Sequence, residues 1–291
     1  MVNIQIVTDS TAHFTNPQLV QQYGITVVPN TIRIAGKTYK EGVDLSAEDA
    51  MRLSAHEQAV PAVISPSEAE FGVVYRQLAE VCDAIISIHP SRKIFPSWDQ
   101  ARAAAIQIAG QCEVVVIDSQ TLSAGQAMLV RVAARAVESE TNLEDVVRKV
   151  RGAVDRVYSV FYVDVINSLL QHEVMSRSHV ILGAMLGMKP FLTIEDGELR
   201  PIEKVRTRSQ ALERLVEFVT EFTDIEDVVI LQNKAYAGDQ TRMLQDRLAI
   251  EFPERHFPYA LYGPSLAALI GIEAMGIVLL ESEMEFLDDD F

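Results

Sequence analysis

Asn3-Ile4-Gln5-Ile6-Val7-Thr8-Asp9-Ser10-Thr11 and Glu113-Val114-Val115-Val116-Ile117-Asp118-Ser119 decide the fold. Each is a short, largely apolar run that stops at Asp-Ser. Ala84-Ile85-Ile86-Ser87-Ile88 is a third such run, and Ile25-Thr26-Val27-Val28-Pro29 is a shorter fourth. Runs of this kind suit strands buried on both faces of a parallel sheet. Helix-like segments lie between them: Ser67 to Val81, with Ser65 or Ser67 as N-cap, then Trp98 to Gly110, and Ala124 to Glu138. The alternation predicts an α/β fold, with a doubly wound parallel sheet over residues 1–155.

The pattern changes beyond residue 155. Val157 to Val163 reads as a strand, and Asp164 to Leu170 and His179 to Gly187 read as helices. Lys189 to Ile194 and Leu199 to Val205 flank Glu195-Asp196-Gly197-Glu198, whose Asp-Gly pair signals a hairpin. Ser209 to Phe222 reads as a helix, and Val228 to Leu231 and Gly276 to Leu280 as late strands. Residues 156–291 are therefore expected to form a mixed α+β domain. No repeat or low-complexity linker separates the halves, so an extensive shared interface is expected.

Charge narrows the function. The 291 residues carry 41 Asp+Glu against 25 Lys+Arg, a formal net charge of −16. No basic face is offered to nucleic acid, and an anionic membrane surface is disfavoured. No stretch is long and apolar enough for a membrane span. Met1-Val2-Asn3-Ile4-Gln5 lacks a basic leader, which points to the cytoplasm. Glu281 to Asp290 reads as a solvated acidic tail. Cys82 and Cys112 stand among apolar residues in separate segments, so they read as buried structural thiols, with no disulfide framework and no metal motif.

Catalytic patterns are lacking. There is no glycine-rich phosphate loop, and Gly183 to Gly187 lies on an apolar helical stretch. The six histidines form no zinc motif, and no G-x-S-x-G nucleophile elbow occurs. No catalytic residue, metal or cofactor is expected. Asp9-Ser10 and Asp118-Ser119 read as caps of the turns that follow their strands. His89 and Ser91 follow the third strand, at the sheet edge where open α/β sheets bind ligands.

The two Asp-Ser strand ends resemble those of the DegV family of bacterial fatty-acid-binding proteins. Other segments follow in the family's order. Tyr39-Lys40-Glu41-Gly42-Val43-Asp44 is similar to its Y-x-D-G-x-D, with Glu41 for the first Asp. Pro66-Ser67 with Phe71, Asp118 to Gly125, Gly183 with Met188-Lys189-Pro190, Asp196-Gly197-Glu198 and Lys204-Val205-Arg206-Thr207-Arg208 are similar to further family segments. Gly263-Pro264, Gly271 and Gly276 look like parts of its glycine-rich end. The matches span nearly the whole chain.

The resemblance implies a long-chain fatty acid held between two domains, here 1–155 and 156–291. Its carboxylate would meet polar groups at the edge of the first. The corresponding positions are Val63 and Ser65, then Ser91, Arg92 and Lys93, then Leu269 and Gly271. This chain departs from the family there: Val63 and Ile64 replace Thr and Ser, Arg92 replaces a Ser, and Leu269 replaces the late His. Arg92 or Lys93 then grips the acid by charge-assisted bonds, or the head-group site is lost and the ligand is neutral or absent. Both cations also suit a solvated loop. Phe161, Leu182, Met185, Leu186, Met188 and Leu192 are candidates for an acyl tunnel, a stripe that ordinary core packing also produces. The resemblance further implies a fatty acid kinase subunit as partner. The family's G-G-R docking segment falls on His172-Glu173-Val174, which puts that partner in doubt, while Arg177 keeps a basic residue where the family often has one.

Overall fold

A computed structural model of the chain describes residues 2–140, 142–163 and 189–283. The expected helices at 164–170 and 179–187 lie outside the described residues.

The Asp-Ser strands build a parallel sheet in the order β2-β1-β6-β7: β1 Ile4–Asp9, β2 Thr26–Val28, β6 Ala84–His89 and β7 Glu113–Asp118. The short helix α1 (Gln18–Gln22) stands between β1 and β2. Side chains alternate across the sheet. Val7 and Ile85 pack with Phe71 and Tyr75 of α3 (Glu68–Ala79) and with Ala101 and Ala104 of α4 (Ser97–Gln107). Ile6, Ile86 and Ile88 pack on the other face with Met128, Leu129 and Val130 of α5 (Ala124–Ser139), which α6 (Leu143–Val154) backs. The sheet is doubly wound. Ser67 rather than Ser65 caps α3, in a reciprocal capping box with Glu70.

A small antiparallel sheet, β4-β3-β5, is inserted after β2: β3 Thr31–Ile34, β4 Lys37–Lys40 and β5 Ala62–Ile64, with α2 (Ala47–Glu57) between β4 and β5. Ile32 and Ile34 are buried against Leu45 and Ala50, while Arg33 between them faces water.

Six strands form a mixed sheet in the order β10-β9-β8-β13-β11-β12: β8 Val157–Val163, β9 Lys189–Glu195, β10 Glu198–Val205, β11 Ile225–Gln232, β12 Tyr259–Leu261 and β13 Ala274–Glu281. All pairs are antiparallel except β11 with β12. The outer face carries Tyr162, Phe191 and Ile277 against Leu212 and Leu215 of α7 (Arg208–Thr220) and Leu244 and Leu248 of α8 (Asp239–Glu251). The inner face carries Phe161, Val163, Leu192, Val278 and Leu280 into the same apolar cluster as Ile86, Leu129 and Val130. The largest core therefore joins both halves. The helix α9 (Pro264–Ile270), with Pro264 at its first position, is wholly buried and packs on α2 and β5.

The thiols depart from expectation. Cys112 is buried, but Cys82 is partly exposed, and their sulfurs are 4.0 Å apart. The reason is topological: the two segments precede β6 and β7, which are adjacent, with Ala84 opposite Glu113.

Candidate functional site

The C-terminal ends of β1, β6 and β7 gather the polar loops of the parallel sheet. Asp9 Oδ1 accepts the Thr11 N–H at 2.9 Å, and Asp118 Oδ1 accepts the Gln120 N–H at 3.0 Å. Both aspartates brace the turns after their strands. Ser119 does the same, accepting from Thr121 N–H at 3.3 Å.

Ser91 is fully buried and committed. Its N–H donates to Thr121 O, its carbonyl accepts from Ile94 and Phe95, and its hydroxyl donates to Gly197 O at 2.6 Å. Gly197 forms the β9–β10 turn with Asp196, both at positive φ (+75° and +51°). A Cβ on Gly197 would come within 2.6 Å of the Ser91 oxygen. Ser91 thus pins the hairpin of the second sheet to the edge of the first. Lys93 Nζ faces Glu198 Oε1 of the same hairpin at 3.5 Å. The Arg92 guanidinium lies 3.6 Å from Asp118 Oδ2 and 5.2 Å from the Trp98 ring centre, and its side chain is about half exposed.

The remaining positions expected to meet a head group form a second group. Val63 and Ser65 lie on and just after β5, against α9, which carries Leu269 and ends at Gly271. The Ser65 hydroxyl is buried with no protein partner. Leu269 is buried, and Gly271 O accepts the buried Tyr262 hydroxyl at 3.0 Å. Apolar contacts link the two groups. Ile94 and Phe95, beside Lys93, share one cluster with Leu269, Phe161 and Leu192, and Val63 packs against it.

Phe161 and Leu192 are fully buried and directly opposite one another across β8 and β9, so they share a face. Gly276 of β13 is the other neighbour of Phe161. A Cβ there would lie 2.7 Å from Val160 O and meet the Phe161 ring. The missing side chain leaves the ring its place. Leu182, Met185, Leu186 and Met188 lie outside the described residues, as do His172, Glu173, Val174 and Arg177.

Two polar networks are buried, and of their side chains only His89 was expected at the ligand-binding edge; the structure buries it fully. Glu41 Oε2 accepts from Ser10 Oγ (2.7 Å), Asn30 Nδ2 (3.0 Å) and Ser265 Oγ (2.9 Å). Ser265 belongs to α9, so this carboxyl ties the β1 loop and the small sheet to the helix that carries Leu269. Burial pushes Glu41 up to about 7; the donated bonds oppose that shift and the nearby Asp9 charge adds to it. Burial also lowers His13, which keeps a backbone partner in Leu261. Its Nδ1 and Glu41 Oε1 lie at equal distance from where a Gly263 Cβ would stand.

The second network runs Asp9 Oδ2 to His89 Nδ1 (2.7 Å), His89 Nε2 to Ser87 Oγ (2.7 Å), and Tyr75 hydroxyl to Ser87 Oγ (2.8 Å). Its connectivity is that of a Ser–His–Asp relay. All four side chains have zero exposure, and Phe71 meets the imidazole edge-on. The network is sealed inside the sheet and offers no hydroxyl to a substrate. Among the described residues no three His, Cys, Asp or Glu side chains gather to hold a metal, and no helix is long and apolar enough to cross a membrane.

A doubly wound parallel sheet whose strand-end loops meet a hairpin of a mixed sheet over one apolar core, with a small antiparallel sheet inserted, defines a three-sheet α/β protein. The chain belongs to the DegV family, whose profile matches residues 3–282. A DegV domain-containing protein of Caldanaerobacter subterraneus is 35% identical over 219 residues, covering 75% of this chain and 77% of that one. A fatty acid binding DegV family protein from Streptococcus agalactiae superposes with a TM-score of 0.88 at 24% identity, over 97% of this chain and 100% of that one. DegV, a fatty acid binding protein from Bacillus subtilis, superposes with a TM-score of 0.85, also at 24% identity and over the same shares.

Proposed function

We propose that this chain is a fatty-acid carrier of the cytoplasm, not itself a catalyst. It would hold an acyl chain between one domain of residues 1–155 and another of residues 156–291. One observation carries the reading. The apolar cluster that contains Phe161 and Leu192 runs without a break to Ile94 and Phe95, directly beside Arg92 and Lys93. The fatty acid binding of the related Streptococcus and Bacillus proteins supports it. Burying an acyl chain contributes about 0.8 kcal/mol per methylene, so ten methylenes supply about 8 kcal/mol toward binding, against which the cost of association is set.

The head group then meets Arg92, Lys93 and the Ser65 hydroxyl. Both cations make long ion pairs, at 3.6 and 3.5 Å, each worth about 1 kcal/mol or less, and Arg92 also lies over the Trp98 ring. A ligand carboxylate can replace Asp118 beside Arg92 at little cost. Ser91 takes a positioning role, because its hydroxyl is spent on Gly197. A kinase subunit is not part of the proposal, since the family's docking segment is not kept at 172–174.

A second reading rests on that same commitment of Ser91 and on apolar Val63 and Leu269. In it the head-group site has diverged and the ligand is neutral. Calorimetric titration of the delipidated chain with a long-chain fatty acid and with the matching fatty alcohol separates the two. The carrier binds the acid at least tenfold tighter, and Arg92→Ala with Lys93→Ala erases the preference. Equal affinities support the neutral-ligand reading, and no uptake of either overturns both.

A further inference from the structure

Cys82 and Cys112 are the chain's two cysteines. Both are free, and their sulfurs touch at 4.0 Å. The contact is set by main-chain architecture rather than by flexible ends. Cys82 N–H donates to Leu78 O at 3.0 Å at the end of α3, and Asp83 N–H donates to Asn3 O at 2.9 Å beside β1. Cys112 directly precedes β7, and its thiol reaches the carbonyls of Asp83 and Glu113 at 3.6 Å each. Cys112 is buried, and Cys82 is the thiol that water reaches. Cys112 also borders an open cleft of about 730 Å³ lined by Trp98, Arg102 and Arg151, while an oxidant reaches Cys82 from its exposed side.

We propose that Cys82 and Cys112 form a reversible disulfide, a modification site at which a hydroperoxide staples β6 to β7 at the N-terminal edge of the parallel sheet. The sulfurs need to close by about 2 Å from their 4.0 Å contact to bonding distance. In the first step the Cys82 thiolate attacks the hydroperoxide. An S–O bond forms, the O–O bond breaks, and the leaving alkoxide takes a proton to become an alcohol. In the second step the Cys112 sulfur attacks the Cys82 sulfenic acid. The S–S bond forms, the S–O bond breaks, and water leaves with the Cys112 proton. Two thiols are oxidised by two electrons, and one peroxide is reduced.

The surroundings make this a slow staple rather than a fast sensor. Burial pushes the Cys82 thiol up to about 11, and Cys112 and the acidic Asp83 add to the shift. Burial raises Cys112 too, with Asp83 and Glu113 adding to it. Arg102 and Arg151 are the cations that border the same cleft. Thiolate is scarce at neutral pH, so closure speeds up with pH. The staple lies at the opposite edge of the sheet from Ser91 and Asp118, so ligand binding is expected to be the same in both redox forms.

The test exposes the full-length reduced chain to hydrogen peroxide at several pH values. The chain is then alkylated under denaturing conditions and its intact mass read. The expected product is a monomer about 2 Da lighter that takes up no alkylating agent and reverts with dithiothreitol. Its formation rate rises about tenfold per pH unit between pH 7 and 9. Cys112→Ser is expected to stop at a Cys82 sulfenic acid that dimedone traps. Two thiols still alkylated after prolonged exposure overturn the proposal. So do sulfinic or sulfonic acid as the only products, or disulfide-linked dimers. If Cys112→Ser does not fold, the wild-type mass and reversal still decide.

Discussion

Replacing Glu41 by Gln isolates the most perturbed carboxyl of the polar edge. Glu41 is 8% exposed and its Oε2 accepts three donated bonds, from Ser10, Asn30 and Ser265. Burial lifts it from 4.5 to about 7. The folded chain therefore holds this proton more tightly than the unfolded chain. The resulting stability is complete below about pH 4.5 and is lost as pH rises through about 7. A gap of about 2.5 pH units corresponds to about 3 kcal/mol. Gln keeps a carbonyl oxygen for the same three donors and cannot ionise. His13, lowered by burial, works in the opposite direction over the same range, and it is common to both proteins. Urea unfolding at pH 5 and pH 8 should show the wild type losing about 2.5 kcal/mol relative to Glu41→Gln, since part of the gap is already lost by pH 5. Parallel stability–pH curves for the two proteins would refute the assignment of that loss to Glu41.

Gly276→Ala places a Cβ 2.7 Å from Val160 O and against the Phe161 ring. Backbone cannot yield as a side chain does, so a loss of about 1–3 kcal/mol in urea unfolding is expected, with weaker fatty-acid uptake as the ring shifts. Gly197→Ala combines a φ of +75° with a Cβ 2.6 Å from Ser91 Oγ. Strain plus the lost Ser91 hydrogen bond should cost about 2 kcal/mol, and limited proteolysis should cut the β9–β10 turn faster. Ser91→Ala keeps the glycine and should cost only about 1 kcal/mol, measured the same way.

The parallel sheet was legible because β1, β6 and β7 are apolar runs closed by polar turn residues, and Ser67 and Asp196-Gly197 carry local signals for a helix start and a hairpin. The small sheet was not read. Its strands are three or four residues long, and Ile32 and Ile34 alternate around an exposed Arg33, a period too short to separate from a loop. The helices α1, α2, α6, α8 and α9 were likewise missed. α9 is buried all round and so carries no polar face to mark it. At the site, Ser91 was read as a donor to a ligand, whereas its acceptor is Gly197, 106 residues away. Glu41 was seen only as a substitution within a motif. Its burial depends on Ser265, 224 residues on, which no local pattern reports. The contact of Cys82 with Cys112 follows from β6 and β7 being neighbours, and strand order is not written in spacing alone. Phe161 and Leu192 were legible only as members of an apolar stripe, and the β8–β9 register sets them opposite one another.

Native mass spectrometry of the chain purified without delipidation, followed by lipid extraction, tests the carrier reading most directly. One long-chain fatty acid per chain, retained in the native ion and recovered in the extract, is the expected result. A bare mass, with no uptake when fatty acid is added back, would contradict it.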